Sequence, residues 1–102
     1  MKILIISQYF HPENLRINDL VFSLKKRGQD IEVLTGKPNY PKGDYFKGYS
    51  WDGPNLEEIE GIKVHRANLI LRKKGGGFRL FLNYFSFVFF GLFKILKLKG
   101  DF

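Results

Sequence analysis

The chain has no cysteine in 102 residues, which excludes disulfides, thiolate nucleophiles and thiolate-ligated zinc and leaves the redox compartment open. Negative charge is scarce. Ten Asp and Glu stand against 17 Lys and Arg, and the net charge of +7 favours an anionic partner: nucleic acid, an anionic membrane surface or a phosphorylated ligand. The basic residues are scattered and no recognition module accompanies them, so nucleic acid is not the expected partner. The first apolar run is only four residues long and leads straight into a polar loop, unlike a secretory signal, so the expected location is the cytoplasm. Glycine is missing from the loop Ser7 to Asn14, and the next strand-like run ends in Thr35-Gly36 without an acid. A dinucleotide turn needs G-x-G-x-x-G and a ribose-binding carboxylate, so a nicotinamide or flavin dehydrogenase is disfavoured and no cofactor is expected.

What is present is an α/β pattern. Met1 to Ser7 reads as a buried strand, and its unbroken apolar run suits the centre of a parallel sheet covered on both faces. Leu15 to Arg27 reads as a helix with Ile17, Leu20, Val21 and Leu24 on one face, closed by Gly28. Ile31 to Thr35 is a second strand. A βαβ unit with a right-handed crossover places the Gln8 to Asn14 loop at the carboxyl edge of the sheet, where ligands bind. In that loop Asn14 is expected to cap the helix, Arg16 lies in its first turn, and the free N–H groups there suit a phosphate or sugar hydroxyl. His11 is expected to contribute to binding and not to catalysis.

Residues 36 to 54 are dense in Pro, Gly and Asn and carry Tyr40, Tyr45, Phe46, Tyr49 and Trp51, too aromatic for a disordered linker. A long ordered loop is expected, with some rings stacking on sugars or bases and at least half packing on the domain itself. Residues 57 to 66 suit a hairpin or short strand with Ile62 and Val64 inward and Lys63 and an exposed His65 outward. Lys73 to Gly77 reads as a flexible basic linker.

The fourteen residues Leu80 to Phe93 carry no charge, short of the roughly 20 needed to span a bilayer. Arg79, Asn83, Ser86, Lys94 and Lys97 draw one narrow polar stripe at helical spacing, broken at Phe90; the rest of the helix is apolar. Two readings stay open: a monotopic helix in an anionic interface, flanked by Arg72, Lys73, Lys74, Lys94, Lys97 and Lys99, or a core helix completed by further parts of the protein. Lys99 to Phe102 resembles a turn into a further strand, which makes residues 1 to 102 the expected first part of a longer protein.

The segments Tyr9-Phe10-His11-Pro12-Glu13-Asn14, Arg16 to Leu20, Lys26-Arg27-Gly28, Val33 to Gly36, Pro38-Asn39-Tyr40-Pro41-Lys42-Gly43, Glu60 to Val64 and Leu82-Asn83-Tyr84 together resemble the acceptor-binding N-terminal domain of glycosyltransferase family 4. The likeness is to its bacterial surface-polysaccharide branch, the fucosamine and colanic-acid type transferases. That resemblance implies an incomplete Rossmann-like three-layer domain with a parallel sheet, the first half of a GT-B fold. It also implies a retaining, metal-independent transfer of a sugar from a nucleotide diphosphate donor to a polyprenyl-diphosphate-linked acceptor, with the enzyme peripheral on the inner face of the plasma membrane. His11, Asn14, Arg16, Asn39 and Tyr40 are the implied substrate-binding residues. No catalytic or metal-binding residue is implied in this chain, which is expected to be inactive without its donor-binding domain. Where many members of the family place a Gly-Gly pair near the donor phosphates, this sequence has Asn14 and Leu15. The expectation from another class is a membrane-surface module that uses residues 78 to 99 without chemistry in the loops.

Overall fold

A computed structural model describes residues 2–13, 15–40, 43–71, 73 and 76–98. Among these residues the fold is α/β, with four strands in one small mixed sheet and two helices. Strand β1 (Lys2–Ile6), helix α1 (Arg16–Lys26) and strand β2 (Asp30–Gly36) form the expected βαβ unit, with β1 and β2 parallel and Ile3 opposite Ile31. A long irregular segment follows. Strands β3 (Leu56–Ile59) and β4 (Ile62–Ala67) then make an antiparallel hairpin, and β4 pairs parallel with β2, Val33 opposite Val64. The hairpin turn is Glu60-Gly61, both at positive φ (51° and 82°), the combination a two-residue turn needs to match the twist of its strands. Helix α2 (Gly77–Lys97) completes the order.

The expected parallel sheet is therefore corrected to a mixed one, since β3 turns back along β4. Strand order is β1-β2-β4-β3, so β1 is at an edge and not at the centre. The fully buried strand is β2, whose residues 31–36 are all inside, whereas Ile6 of β1 is 53% exposed. A short apolar run reports hydrophobicity but not which neighbours it pairs with, because pairing is decided by contacts remote in sequence.

Alternation along the strands sorts the core into two faces. Ile3, Ile5, Ile31, Val33, Ile62 and Val64 pack with Phe10 and with Ile17, Val21, Phe22 and Leu24 beside α1. Leu4 and Leu34, with Ala67 and Leu69 beyond them, pack instead on Phe87, Val88 and Ile95 of α2. The helices thus cover opposite faces. Leu20, placed by periodicity on the α1 core face, is 53% exposed; Phe22 packs against the core in its stead, held between Phe10 and the His11 ring. The position preceding α1 is held by Leu15, with no side-chain cap bond.

Candidate functional site

The two loops that leave β1 and β2 are joined by one buried carboxylate. Glu13 is fully buried and accepts three backbone N–H bonds, from Phe10 on Oε1 (3.1 Å) and from Asn39 and Tyr40 on Oε2 (3.0 and 2.8 Å). It also donates its own N–H to the Phe10 carbonyl at 2.9 Å, while its carbonyl accepts the Asn18 amide at 2.6 Å. The Glu13 carboxyl therefore locks the His-Pro-Glu turn to the Pro-Asn-Tyr turn, and its main-chain carbonyl ties both to the first turn of α1. Burial pushes its pKa above the ordinary carboxylate value, and the three N–H donors and the Arg66 charge pull it back only in part.

Arg66, also fully buried, is the second tie. Its guanidinium donates to Glu57 Oε1 through Nε (3.1 Å) and Nη2 (2.9 Å), to the Gly36 carbonyl (3.1 Å) and to the His11 carbonyl, and lies 5.4 Å from the centre of the Tyr49 ring. One arginine thus joins the ends of β2 and β4, the start of β3 and the first loop. Lys37, buried just past β2, spends all three ammonium protons on neutral acceptors: the Ser50 and Trp51 carbonyls (2.8 and 3.0 Å) and Asn68 Oδ1 (2.8 Å). Burial, then the charge of Lys94, lowers its pKa. These contacts fasten the segment after β2, whose described residues between 37 and 54 are irregular apart from a Ser50–Gly53 bridge. Its rings mostly pack on the protein, as expected: Tyr49 donates to Glu57 at 2.8 Å and Trp51 meets Phe90 edge-on at 5.4 Å. Gly36 sits where the loops meet closely: a Cβ there would stand 2.5 Å from the end of the Leu69 side chain and 3.1 Å from the Gln8 carbonyl, so a larger residue would force the buried Leu69 to shift.

Against this frame the expected binding residues divide. Tyr40 is part-exposed and packs on Tyr9 with ring centres 5.0 Å apart and planes tilted by 44°, so the loops present a pair of rings. His11 is exposed, with its carbonyl held by Arg66. Arg16 is exposed at the first residue of α1. Asn39 is buried, and its amide donates to the Lys37 carbonyl at 2.8 Å, which makes it part of the frame that presents Tyr40. Asn14 lies outside the described residues, as do Arg72, Lys74, Lys99 and the expected turn at 99–102.

Helix α2 is amphipathic with its faces reversed. The polar stripe points into the protein: Arg79 donates to the Leu71 carbonyl (2.8 Å), Asn83 donates to the Ile70 carbonyl (2.9 Å) and accepts from Gln8 (2.7 Å), and Ser86 accepts from the Ile70 N–H (2.6 Å). Phe90, which interrupts the stripe in sequence, fills its place by packing on Trp51. The outward face is a run at helical spacing of Phe78, Phe81, Phe85, Phe89, Leu92 and Leu96, each more than half exposed. Among the described residues, nine of the fifteen large exposed hydrophobic side chains lie on this helix. At 21 residues and a mean hydropathy of 1.5 over its most apolar 18-residue window, α2 meets the length and composition of a bilayer span, which the uncharged run alone did not. Charge sharpens the picture. Residues 61 to 100 hold nine Lys and Arg and no Asp or Glu, so essentially all the surplus positive charge lies in the half of the sequence that contains α2.

His65, expected as an exposed strand residue, is instead part of a cluster: its Nε2 is 2.7 Å from Glu32 Oε1, while Lys2 Nζ donates to Oε2 at 3.0 Å. Burial raises the Glu32 pKa, but the bonds from His65 and Lys2 outweigh it and hold the carboxyl below its usual range. Among the described residues no group of acids and histidines has the arrangement of a metal site. Comparison with protein-family models, with curated proteins and with solved structures finds no match for the chain.

Proposed function

We propose that this chain is the acceptor-side part of a retaining, metal-independent glycosyltransferase that moves a sugar from a nucleotide diphosphate sugar to a polyprenyl-diphosphate-linked acceptor in cell-surface polysaccharide synthesis. The observation that carries the reading is the Glu13 junction: the two loops whose motifs suggest the family form one rigid unit at the carboxyl edge of β1 and β2. The Tyr9–Tyr40 rings suit a sugar face, and His11 and Arg16 are the exposed polar groups on the same loop and helix start. Gln8 and Asn83 tie this edge to α2, so an apolar surface adjoins the loops where a prenyl chain would need one. The free edge of β1 and an apolar groove of about 220 Å³ between Ile6, Leu34, Phe87 and Leu92 also suit a further strand beside β1, as a Rossmann-like sheet requires. In this reading the donor is held chiefly by a second domain outside these residues.

Acceptor binding tests the proposal without that domain. A short-chain prenyl-diphosphate sugar is expected to shift the backbone NMR signals of Tyr9, His11 and Tyr40. Tyr40→Ala and Arg16→Ala should each weaken binding roughly fivefold, the worth of one lost contact of about 1 kcal/mol. Shifts confined to α2, or none, would rule the reading out.

The reversed polarity of α2 favours a second reading, a membrane-surface module with no chemistry in the loops. The outward phenylalanines would lie in the interface and the nearby lysines would meet anionic headgroups. The chain is expected to co-sediment with phosphatidylglycerol vesicles and far less with phosphatidylcholine. A triple Phe81→Ser, Phe85→Ser, Phe89→Ser variant should lose roughly tenfold or more in partitioning. Unchanged partitioning by that variant would exclude α2 as the contact.

A further inference from the structure

We propose a second ligand site, independent of the loop edge: an electropositive pocket beside the amino-terminal halves of the strands that takes a phosphoryl anion. The pocket is open, has a volume of about 380 Å³, and is lined by Lys2, Lys63, Lys94, Lys97, His65 and Glu32. It lies on the face of the sheet covered by α2, towards the end of the strands remote from the loops, because Lys2 begins β1 and Lys94 and Lys97 form the last turn of the helix.

Four ammonium groups and one carboxylate line the pocket, while Glu58 stands opposite Lys63 in the β3–β4 register and Asp30 acts on Lys2 from outside the lining. The Glu32 carboxylate is already spent, one oxygen on Lys2 and the other on His65. Among the described residues Lys63, Lys94 and Lys97 have no acidic partner, and the nearest acceptor to Lys94 is the Asn55 carbonyl at 3.3 Å. A helix C-terminus offsets about half a unit charge. The last turn of α2, with Glu58 and Asp30 outside the lining, therefore cancels only part of the positive surplus. Its carbonyls are moreover partly occupied, since the Leu98 N–H bonds to the Lys94 and Ile95 carbonyls. Burial, and then the charge of Lys97, lowers the pKa of Lys94, so an entering anion would relieve an existing repulsion.

The chemistry of the lining selects the ligand. Lysines act as mobile point charges suited to a phosphate group with negative charge on several oxygens. Leu56 and Leu98 also line the pocket and give the carbon attached to a phosphoryl group an apolar wall. The group can belong to a soluble phosphate compound or to an anionic lipid headgroup, which the outward face of α2 would bring close.

Inorganic pyrophosphate, titrated into the unmodified 102-residue chain, is expected to give saturable NMR shifts at Lys63, His65 and Lys97. A Lys94→Gln, Lys97→Gln variant should bind about tenfold or more weakly, while Lys26→Gln, Arg27→Gln beside the opposite face should stay within about twofold. Phosphatidic acid vesicles that displace pyrophosphate from these residues would make a headgroup the source; pyrophosphate that stays bound would make it a soluble phosphate. The proposal is overturned if no saturable shift occurs at millimolar pyrophosphate, if the shifts spread equally over α1, or if both charge-removing variants lose the same affinity. The shift map of the unmodified chain decides the matter even if a variant fails to fold.

Discussion

Arg66→Met is expected to destabilise the chain by about 3–5 kcal/mol, the usual consequence of removing one member of a buried ion pair. Small domains are typically stable by only about 5–15 kcal/mol, so this is roughly a fifth of the total at the least. The cost has identifiable parts. Methionine fills much of the volume but leaves the Gly36 and His11 carbonyls without their donor and the Glu57 carboxylate, 22% exposed, without its cation. Arg66→Lys keeps the charge but cannot reach Glu57, Gly36 and His11 together, because those bonds use the spread of the planar guanidinium, and should fall between wild type and Met. Glu57→Gln should cost less than Arg66→Met, since Arg66 retains both carbonyl partners. Urea denaturation of the four proteins gives the order. An Arg66→Met midpoint equal to wild type would show that the buried guanidinium does not hold the end of the sheet together.

Arg66 also shows how far a single sequence can be read. Arg66 continues the alternation that puts Ile62 and Val64 inward, and it was not picked out because an arginine is rarely fully buried. Its partners were not legible either, because Glu57, Gly36 and His11 are 9, 30 and 55 residues away. The first strand, helix and second strand were legible because each is a local pattern. The edge position of β1, the exposure of Leu20 and the Glu32–His65 contact depend on pairings that leave no local trace. Helix α2 is the instructive case. Its narrow polar stripe was visible, but the stripe alone does not say which side faces protein, and ordinary amphipathic logic points outward. The stripe turns inward because β4 is followed by irregular chain at 68–71 whose backbone groups need partners, which Arg79, Asn83 and Ser86 supply. The loops were expected to be the place for ligands, yet the residue that organises them, Glu13, looked like one polar residue among several.

That role makes Glu13 the site of the other large effect. Glu13→Ala is expected to cost about 3 kcal/mol or more, because it leaves the N–H groups of Phe10, Asn39 and Tyr40 without their acceptor. Glu13→Gln is a finer test. Its amide oxygen can accept from Asn39 and Tyr40, but its NH2 then faces the Phe10 N–H, donor against donor, for roughly 1–3 kcal/mol. Because burial raises the folded-state pKa of Glu13 above the reference value of 4.5, the folded chain holds this proton more tightly than the unfolded one. The stability linked to Glu13 is thus fully present below pH 4.5 and is lost as pH rises through the raised folded value. Glutamine does not titrate, so the gap between wild type and Glu13→Gln should be widest in acid and narrow as pH increases through that window. Denaturation midpoints of the pair, taken from below pH 4.5 to neutrality, measure this directly. A gap that widened with pH would mean that the three N–H donors dominate over burial and that the carboxylate is the form the fold prefers. Hydrogen exchange at Asn39 and Tyr40 should accelerate more in Glu13→Ala than at Val33, because the junction can open while β2 stays paired. The rigidity of the loop edge, on which an acceptor site depends, would then rest on this one side chain and not on the sheet beneath it.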